Sequence, residues 1–267
     1  MSVFRYPNIE SYWSKHSLES VRVAMPSKRF YEIKKYLHFN DSSCMKKKGE
    51  EGYDQLYKVR PLIDTLNERF NSVPKSPRLC IDEQMCPTKM ITNLRQYMPD
   101  KTHKYGVKLF VLCDSYGFSY NFEVYRGAGE NDVVADAPDL GATGNVVVRL
   151  TQTVPNFKNH IVYFDNFYTS LPLLVYLRSR GIYALGTVRA NRLPNCKLSK
   201  DIDVKNKERG YAEEFVGTVF GVDITSVLWK DTQCVRLVST YAGVKPFCTS
   251  TDTCQSPIVT RFDRKKK

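Results

Sequence analysis

Two short apolar runs, each broken off by an aspartate, limit what this chain can fold into more than any other feature. The first is Leu79-Cys80-Ile81-Asp82-Glu83-Gln84 and the second is Ile161-Val162-Tyr163-Phe164-Asp165-Asn166. A run of about four to eight apolar residues bounded by polar ones reads as a buried strand. Carboxylates at the mouths of neighbouring strands can share divalent metals for phosphoryl chemistry. Two ordinary aspartates capping strands or following helices satisfy the spacing equally well, so the text around them has to decide.

The first 75 residues read as helical. Phe30, Ile33 and Leu37 recur at steps of three and four behind Pro26-Ser27, a helix start. A second amphipathic pattern runs through Leu56, Val59, Leu62, Ile63, Leu66 and Phe70, with Pro61 expected near its first turn. Between them lies a polar, lysine-rich loop containing Lys46-Lys47-Lys48-Gly49.

From Arg78 the period changes. Arg78–Asp82 reads as a strand, and Gly106–Asp114 with Ser119–Tyr125 as a hairpin across Ser115-Tyr116-Gly117. A helix is expected near Asn145–Thr153, a strand at His160–Asp165, a helix with Ser170 as N-cap and Pro172 just inside it, and a strand at Tyr183–Val188. Three antiparallel strands, helix, strand, helix, strand is the order of the ribonuclease H-like α/β fold, whose mixed sheet runs 3-2-1-4-5. That order sets the first and fourth strands side by side and parallel, bringing Asp82 and Asp165 together at strand ends. Residues 190–256 have another texture: a lysine-rich stretch, then short strands at Phe215–Phe220, Ile224–Trp229 and Val235–Thr240. The domain reading is therefore 1–75 helical, 76–189 ribonuclease H-like core, 190–256 β-rich insertion subdomain, and 257–267 basic tail.

Several segments resemble the piggyBac family of transposases and the proteins derived from them. They are Cys80-Ile81-Asp82-Glu83-Gln84, Gln96-Tyr97-Met98-Pro99, His103-Lys104-Tyr105-Gly106-Val107-Lys108, Val111-Leu112-Cys113-Asp114-Ser115, Tyr163-Phe164-Asp165-Asn166-Phe167-Tyr168-Thr169-Ser170 and Gly186-Thr187-Val188-Arg189. Met25-Pro26-Ser27-Lys28-Arg29-Phe30 through Asp41 resembles that family's helical entry to the catalytic domain. The resemblance implies that Asp82 and Asp165 are the first and second members of an Asp-Asp-Asp set holding two Mg²⁺ or Mn²⁺ ions for DNA cleavage and strand transfer. It also implies a third Asp within Gly-Gly-Val-Asp, which does not occur in this sequence, and a cysteine-rich zinc module that is absent too. Asp263 sits in the basic stretch that precedes the third Asp in the family. With two carboxylates the metal site is expected to be weak and transposition by this chain alone to fail, since Mg²⁺ demands near-octahedral oxygen coordination. Glu83 is no substitute, since on a strand it points away from Asp82.

Charge agrees with a nucleic-acid partner. Lys and Arg number 40 against 28 Asp and Glu, for a net charge of +12, an excess that attracts phosphate backbones by counterion release. Arg95, Lys101, Lys104, Lys108, Arg189 and Arg192 flank the Asp-bearing segments and are the candidate DNA contacts. No run of 18 apolar residues occurs, which excludes a membrane-spanning helix on length, and Met1 to Tyr6 has no apolar core of a signal peptide. The eight cysteines form no Cys-x-x-Cys pair, so reduced thiols and a nuclear location are expected. Cys248 and Cys254 are weak metal candidates. Partners would be DNA and a second copy or a related full-length transposase.

Three readings stay open at this point. One is a DNA-binding protein derived from a piggyBac transposase, without transposition activity. Another is an active recombinase completed by a partner or a longer isoform. The third is a basic remnant with no DNA role.

Overall fold

The computed structural model describes residues 6–99, 101–127 and 131–244, so the expectations for Cys248, Cys254, Asp263 and the basic tail fall outside it. The chain forms two compact units, Met1–Leu66 and Asn67–Lys267, each described by itself. In the first, helices α1 (Glu19–Ala24) and α2 (Ser27–Tyr36) follow a 3₁₀ turn at Glu10–Trp13. The Trp13 indole N–H donates to the Met25 carbonyl at 2.7 Å, and its ring lies 5.2 Å from Phe30. Helix α3 (Arg60–Asn71) crosses from the first unit into the second, with Pro61 in its first turn, where a missing N–H costs nothing.

The second unit is built on one nine-stranded sheet. Its strands are β1 (Arg78–Pro87), β2 (Arg95–Tyr97), β3 (Tyr105–Asp114), β4 (Ser119–Val124), β5 (Ile161–Phe164), β6 (Tyr183–Thr187), β7 (Ala212–Val219), β8 (Val222–Lys230) and β9 (Cys234–Ser239). Helices α4 (Gly141–Thr151) and α5 (Leu171–Ser179) lie in the connections before β5 and before β6, and a short helix α6 (Asp201–Val204) precedes β7. β4, β3, β1, β5 and β6 are neighbours in that order, the first three antiparallel and the last two parallel additions. The ribonuclease H-like class is therefore realised, with a longer sheet than expected. Four strands lie outside the expected five: β2 beside β3, and β9, β8 and β7 beyond β6.

Two expectations change here. The β-rich segment between residues 190 and 256 does not stand apart: β9 pairs antiparallel with β6, so β7 to β9 continue the main sheet. Strand β1 does not stop at Asp82 but runs on to Pro87, paired with β3 as far as Gly106. The added residues alternate between half-buried and exposed, so no apolar run marked them. β2 is three polar or aromatic residues long, too short for any periodicity to register.

The core gathers on one face. Leu79 and Ile81 of β1, Leu112 of β3, Val162 and Phe164 of β5 and Ala184 of β6 are buried with Val146, Val147 and Leu150 of α4 and Leu173, Leu174 and Leu177 of α5. Each such side chain contributes roughly 1.5–3 kcal/mol relative to exposure. Ser170 caps α5 as expected, its hydroxyl accepting from the Leu173 N–H at 3.4 Å. At the other end Gly181 takes φ +70°, while the Gly181 and Ile182 N–H groups donate to the Arg178 and Leu177 carbonyls at 2.9 and 3.0 Å. This is the Schellman pairing, which only glycine enters cheaply, and it turns the chain straight into β6.

Ile81 is fully buried one residue before Asp82. Ile81→Ala is expected to lower stability by about 2–5 kcal/mol, the range for truncating a core aliphatic. Urea denaturation checks this: an unchanged midpoint would show that the β1 face is not packed as described.

Candidate active site

Strands β1 and β5 bring the two aspartates together. Their parallel register pairs Ile81 with Phe164, so Asp82 and Asp165 are the next residues on two adjacent strands. Pairing with β3 carries β1 on to Pro87, whereas β5 ends at Phe164 and turns. Asp165 organises that turn itself: its Oδ1 accepts the Phe167 N–H at 2.7 Å, and its carbonyl accepts the Thr169 hydroxyl at 2.8 Å. An aspartate that bonds the backbone two residues on is the usual Asx-turn device. Gly186, opposite Phe164 on β6, makes room for this turn, since a Cβ there would stand 2.4 Å from Thr169 Oγ1 and 2.8 Å from the Phe164 ring.

Around the pair lies a group of polar and aromatic side chains. Asp82 Oδ1 accepts the Glu83 N–H at 2.8 Å. Glu83 alternates to the other face of β1, as expected, yet the two neighbouring carboxylates still influence each other. Lys101 pairs with Glu83 at 3.2 Å. Burial is the largest influence on Asp82 and, together with the neighbouring Glu83 carboxylate, raises its pKa despite the Glu83 N–H and Lys101. Burial also pushes Glu83 upward, but hydrogen bonds from Asp82 and Lys101 bring it below its usual value.

Lys108 is held by rings. Its ammonium lies 4.8 Å from Phe110, 5.5 Å from Tyr125 and 4.8 Å from Phe167, and burial lowers its pKa although Glu83, Asp165 and Asp82 oppose that. Tyr168 is fully buried among the same groups; burial first, then the charges of Glu83, Asp82 and Asp165, pushes its phenol strongly upward. Its hydroxyl has no well-formed hydrogen bond, although Glu83 is placed to accept one.

The basic residues named from the sequence fall into different roles. Arg192 donates to the carbonyls of Asn166, Phe167 and Thr169, the last at 3.0 Å, and so clamps the Asp165 turn. Arg189 donates to the Asn166 side chain at 3.2 Å. Arg95 stacks on Tyr105, Lys101 holds Glu83, Lys108 is enclosed by rings, and Lys104 is exposed. Glu83 and Tyr168 were missed in the sequence: Glu83 does alternate away from Asp82 along β1, but there it meets Lys101, Lys108 and Tyr168, and Tyr168 is an unremarkable aromatic until its burial is known. Cys80 and Cys113 are register partners on β1 and β3; the sequence reading of two separate small hydrophobes did not foresee that they meet.

A divalent metal can be tested against these residues. Two carboxylates from adjacent strand ends and an unsatisfied phenol are present, yet among the described residues no three of His, Cys, Asp and Glu are grouped to hold an ion. The residues described therefore do not complete a metal centre, and no reaction step is derived through one.

The family described as Transposase IS4 matches residues 1–266. The chain is 31% identical over 252 residues to the PiggyBac transposable element-derived protein 3 of Homo sapiens, covering 92% of this chain and 39% of that protein. It is 28% identical over 251 residues to the PiggyBac transposable element-derived protein 2 of Homo sapiens, covering 90% and 40%. Its fold matches a piggyBac transposase solved by cryo-electron microscopy in a synaptic complex with hairpin DNA, with a TM-score of 0.68, 24% identity, and coverage of 86% of this chain and 47% of that one. The chain belongs to the piggyBac-type transposase family. It spans about two fifths of the length of these two curated relatives.

Asp82→Asn tests the electrostatics. A carboxylate whose folded pKa is raised costs stability once pH exceeds its unfolded value, and costs nothing below it. The variant should melt above the native chain at neutral pH, and the two should converge as pH falls below 3.8, the ordinary Asp value. A lower melting temperature for the variant at neutral pH would contradict the assignment.

Proposed function

We propose that this chain is a transposase-derived DNA-binding domain, located in the nucleus, that does not transpose unaided. The juxtaposition of Asp82, inside β1, with Asp165, just past the end of β5, carries the reading, and the net charge of +12 supports a polyanionic partner. The solved relative that shares the fold is a DNA complex. In this reading Lys104 and Arg189 contact phosphates directly, while Arg95, stacked on Tyr105, meets the DNA beside them. Lys101 and Lys108 set the field around the carboxylates, and Arg192 holds the Asp165 turn in place. Asp82 and Asp165 alone do not complete a site for Mg²⁺ or Mn²⁺, which is why the chain does not transpose unaided in this reading.

A second reading rests on the same pair. A carboxylate from a partner or a longer form would complete the site and give an active, metal-dependent recombinase. The raised pKa of Asp82 favours it, because the cost of its charge is one that a bound cation would relieve.

Duplex DNA binding should weaken steeply with salt, with a log–log slope of roughly −0.9 for each phosphate contact. Lys104→Ala and Arg189→Ala should each flatten that slope by about one contact. Fluorescence anisotropy between low and moderate salt measures it; a flat salt dependence, or no binding at low salt, removes the DNA reading. A fluorescent fusion excluded from nuclei would count against the location.

The 267-residue protein with Mg²⁺ or Mn²⁺ should neither nick nor excise transposon-end DNA. Efficient excision abolished by Asp165→Ala would overturn this and establish the second reading.

A further inference from the structure

Two tyrosines stand half out of the protein on the same face of the sheet as Asp82. Tyr97 of β2 and Tyr105 of β3 are register partners, with ring centroids 4.9 Å apart and planes inclined by 43°. They are 55% and 52% exposed. Arg95, two residues before Tyr97 and so on the same side of β2, sets its guanidinium 4.8 Å from the Tyr105 ring. Along β3 the residues on this side are Tyr105, Val107, Leu109 and Val111, and Val111 is the register partner of Asp82. Those six steps span about 20 Å at roughly 3.3 Å per residue, the length of about six stacked nucleotides at roughly 3.4 Å each.

The surroundings are cationic. The loop between the two tyrosines closes with the Met98 N–H donating to the Lys104 carbonyl at 2.8 Å. In sequence it carries His103 and Lys104 with one acid, Asp100, while Lys101 of the same loop is paired with Glu83. Behind the tyrosines the sheet is tight: a Cβ at Gly106 would lie 2.5 Å from the Cys86 carbonyl, so the three strands are held close and the rings are carried on a firm support. A cross-strand aromatic pair ordinarily stabilises a sheet by hiding its rings. Here half of each ring is left in water beside an arginine that already stacks.

We propose that Tyr97, Tyr105 and Arg95 form a stacking platform for an unpaired nucleobase of DNA whose backbone passes Asp82 on the same sheet face. The proposal rests on the DNA reading above and deepens it by naming single-stranded or frayed DNA as what this end of the sheet takes. Every base has a π-face, so the platform contributes affinity without reading sequence. Lys104, at the edge of the pair, supplies a phosphate contact that fixes the strand beside the rings.

Three fluorescein-labelled oligonucleotides test it: a blunt duplex, the same duplex with a four-nucleotide single-stranded overhang, and that overhang with abasic residues. The unmodified protein should bind the base-bearing overhang about tenfold more tightly than the abasic one, as expected for roughly one stacked base. Tyr97→Leu/Tyr105→Leu should erase that difference while leaving blunt-duplex affinity within about twofold, and Tyr97→Phe/Tyr105→Phe should keep it. Equal affinity of the unmodified protein for abasic and base-bearing overhangs overturns the platform and leaves DNA binding standing, whatever the variants do. A preference that survives the leucine pair in a folded variant overturns it too. Failure to bind any of the three at low salt removes the DNA reading and the platform together. A shift in oligomeric state on the leucine substitution, with overhang preference intact, would make the surface a contact between copies and overturn the proposal.

Discussion

The parallel pairing of β1 with β5 is what the candidate site depends on. Its register sets Ile81 against Phe164, which fixes two things at once. The apolar side chains before the aspartates go into the core with α4 and α5, and the aspartates themselves arrive side by side, Asp82 inside β1 and Asp165 just past the end of β5. A slip of one residue would send each set to the opposite face, burying carboxylates among valines. The hydrophobic requirement of the core thus enforces the polar geometry of the site. Nothing in the two aspartates' own chemistry would bring them together, since like charges repel, and the raised pKa of Asp82 records burial and the nearby Glu83 working against its ionisation.

Around that pair the chain spends other residues on holding a turn. Asp165 bonds the backbone that follows it, Arg192 reaches back from beyond β6 to three carbonyls of the same turn, and Gly186 leaves space for it. Together they position one carboxylate from three directions, which is how a site is made rigid when one of its strands is only four residues long. The arginine is occupied by this task. Loss of its side chain would disturb the turn before it removed any phosphate contact, so its role differs from that of exposed Lys104.

Much of the core of the fold was legible because strong local signals agreed. The apolar runs at 79–81 and 161–164, the Ser170 cap with Pro172 behind it, and the hairpin around Ser115-Tyr116-Gly117 all fall where the periodicity and turn chemistry put them. The failures share a cause. β2, the far half of β1 and the joining of β9 to β6 are made by backbone pairing between half-exposed strands, and pairing leaves no periodic trace in either partner. The site was legible only in part for the same reason. Asp82 and Asp165 sit beside readable runs, whereas Glu83, Tyr168 and the stacked Tyr97–Tyr105 pair acquire meaning only once β3 lies against β1 and β2. The family resemblance supplied the aspartates' roles, but not which of the nearby basic side chains would be free.

Gly186 gives a way of telling two histories apart. In a lineage released from catalysis, Asp165 can change with little harm to folding, because its side chain serves mainly one surface turn. Position 186 cannot follow, since any side chain there meets Thr169 and Phe164 inside the sheet. Divergence that spares the glycine but not the aspartate would mark a protein kept for its shape, and divergence that spares both would mark one kept for its chemistry.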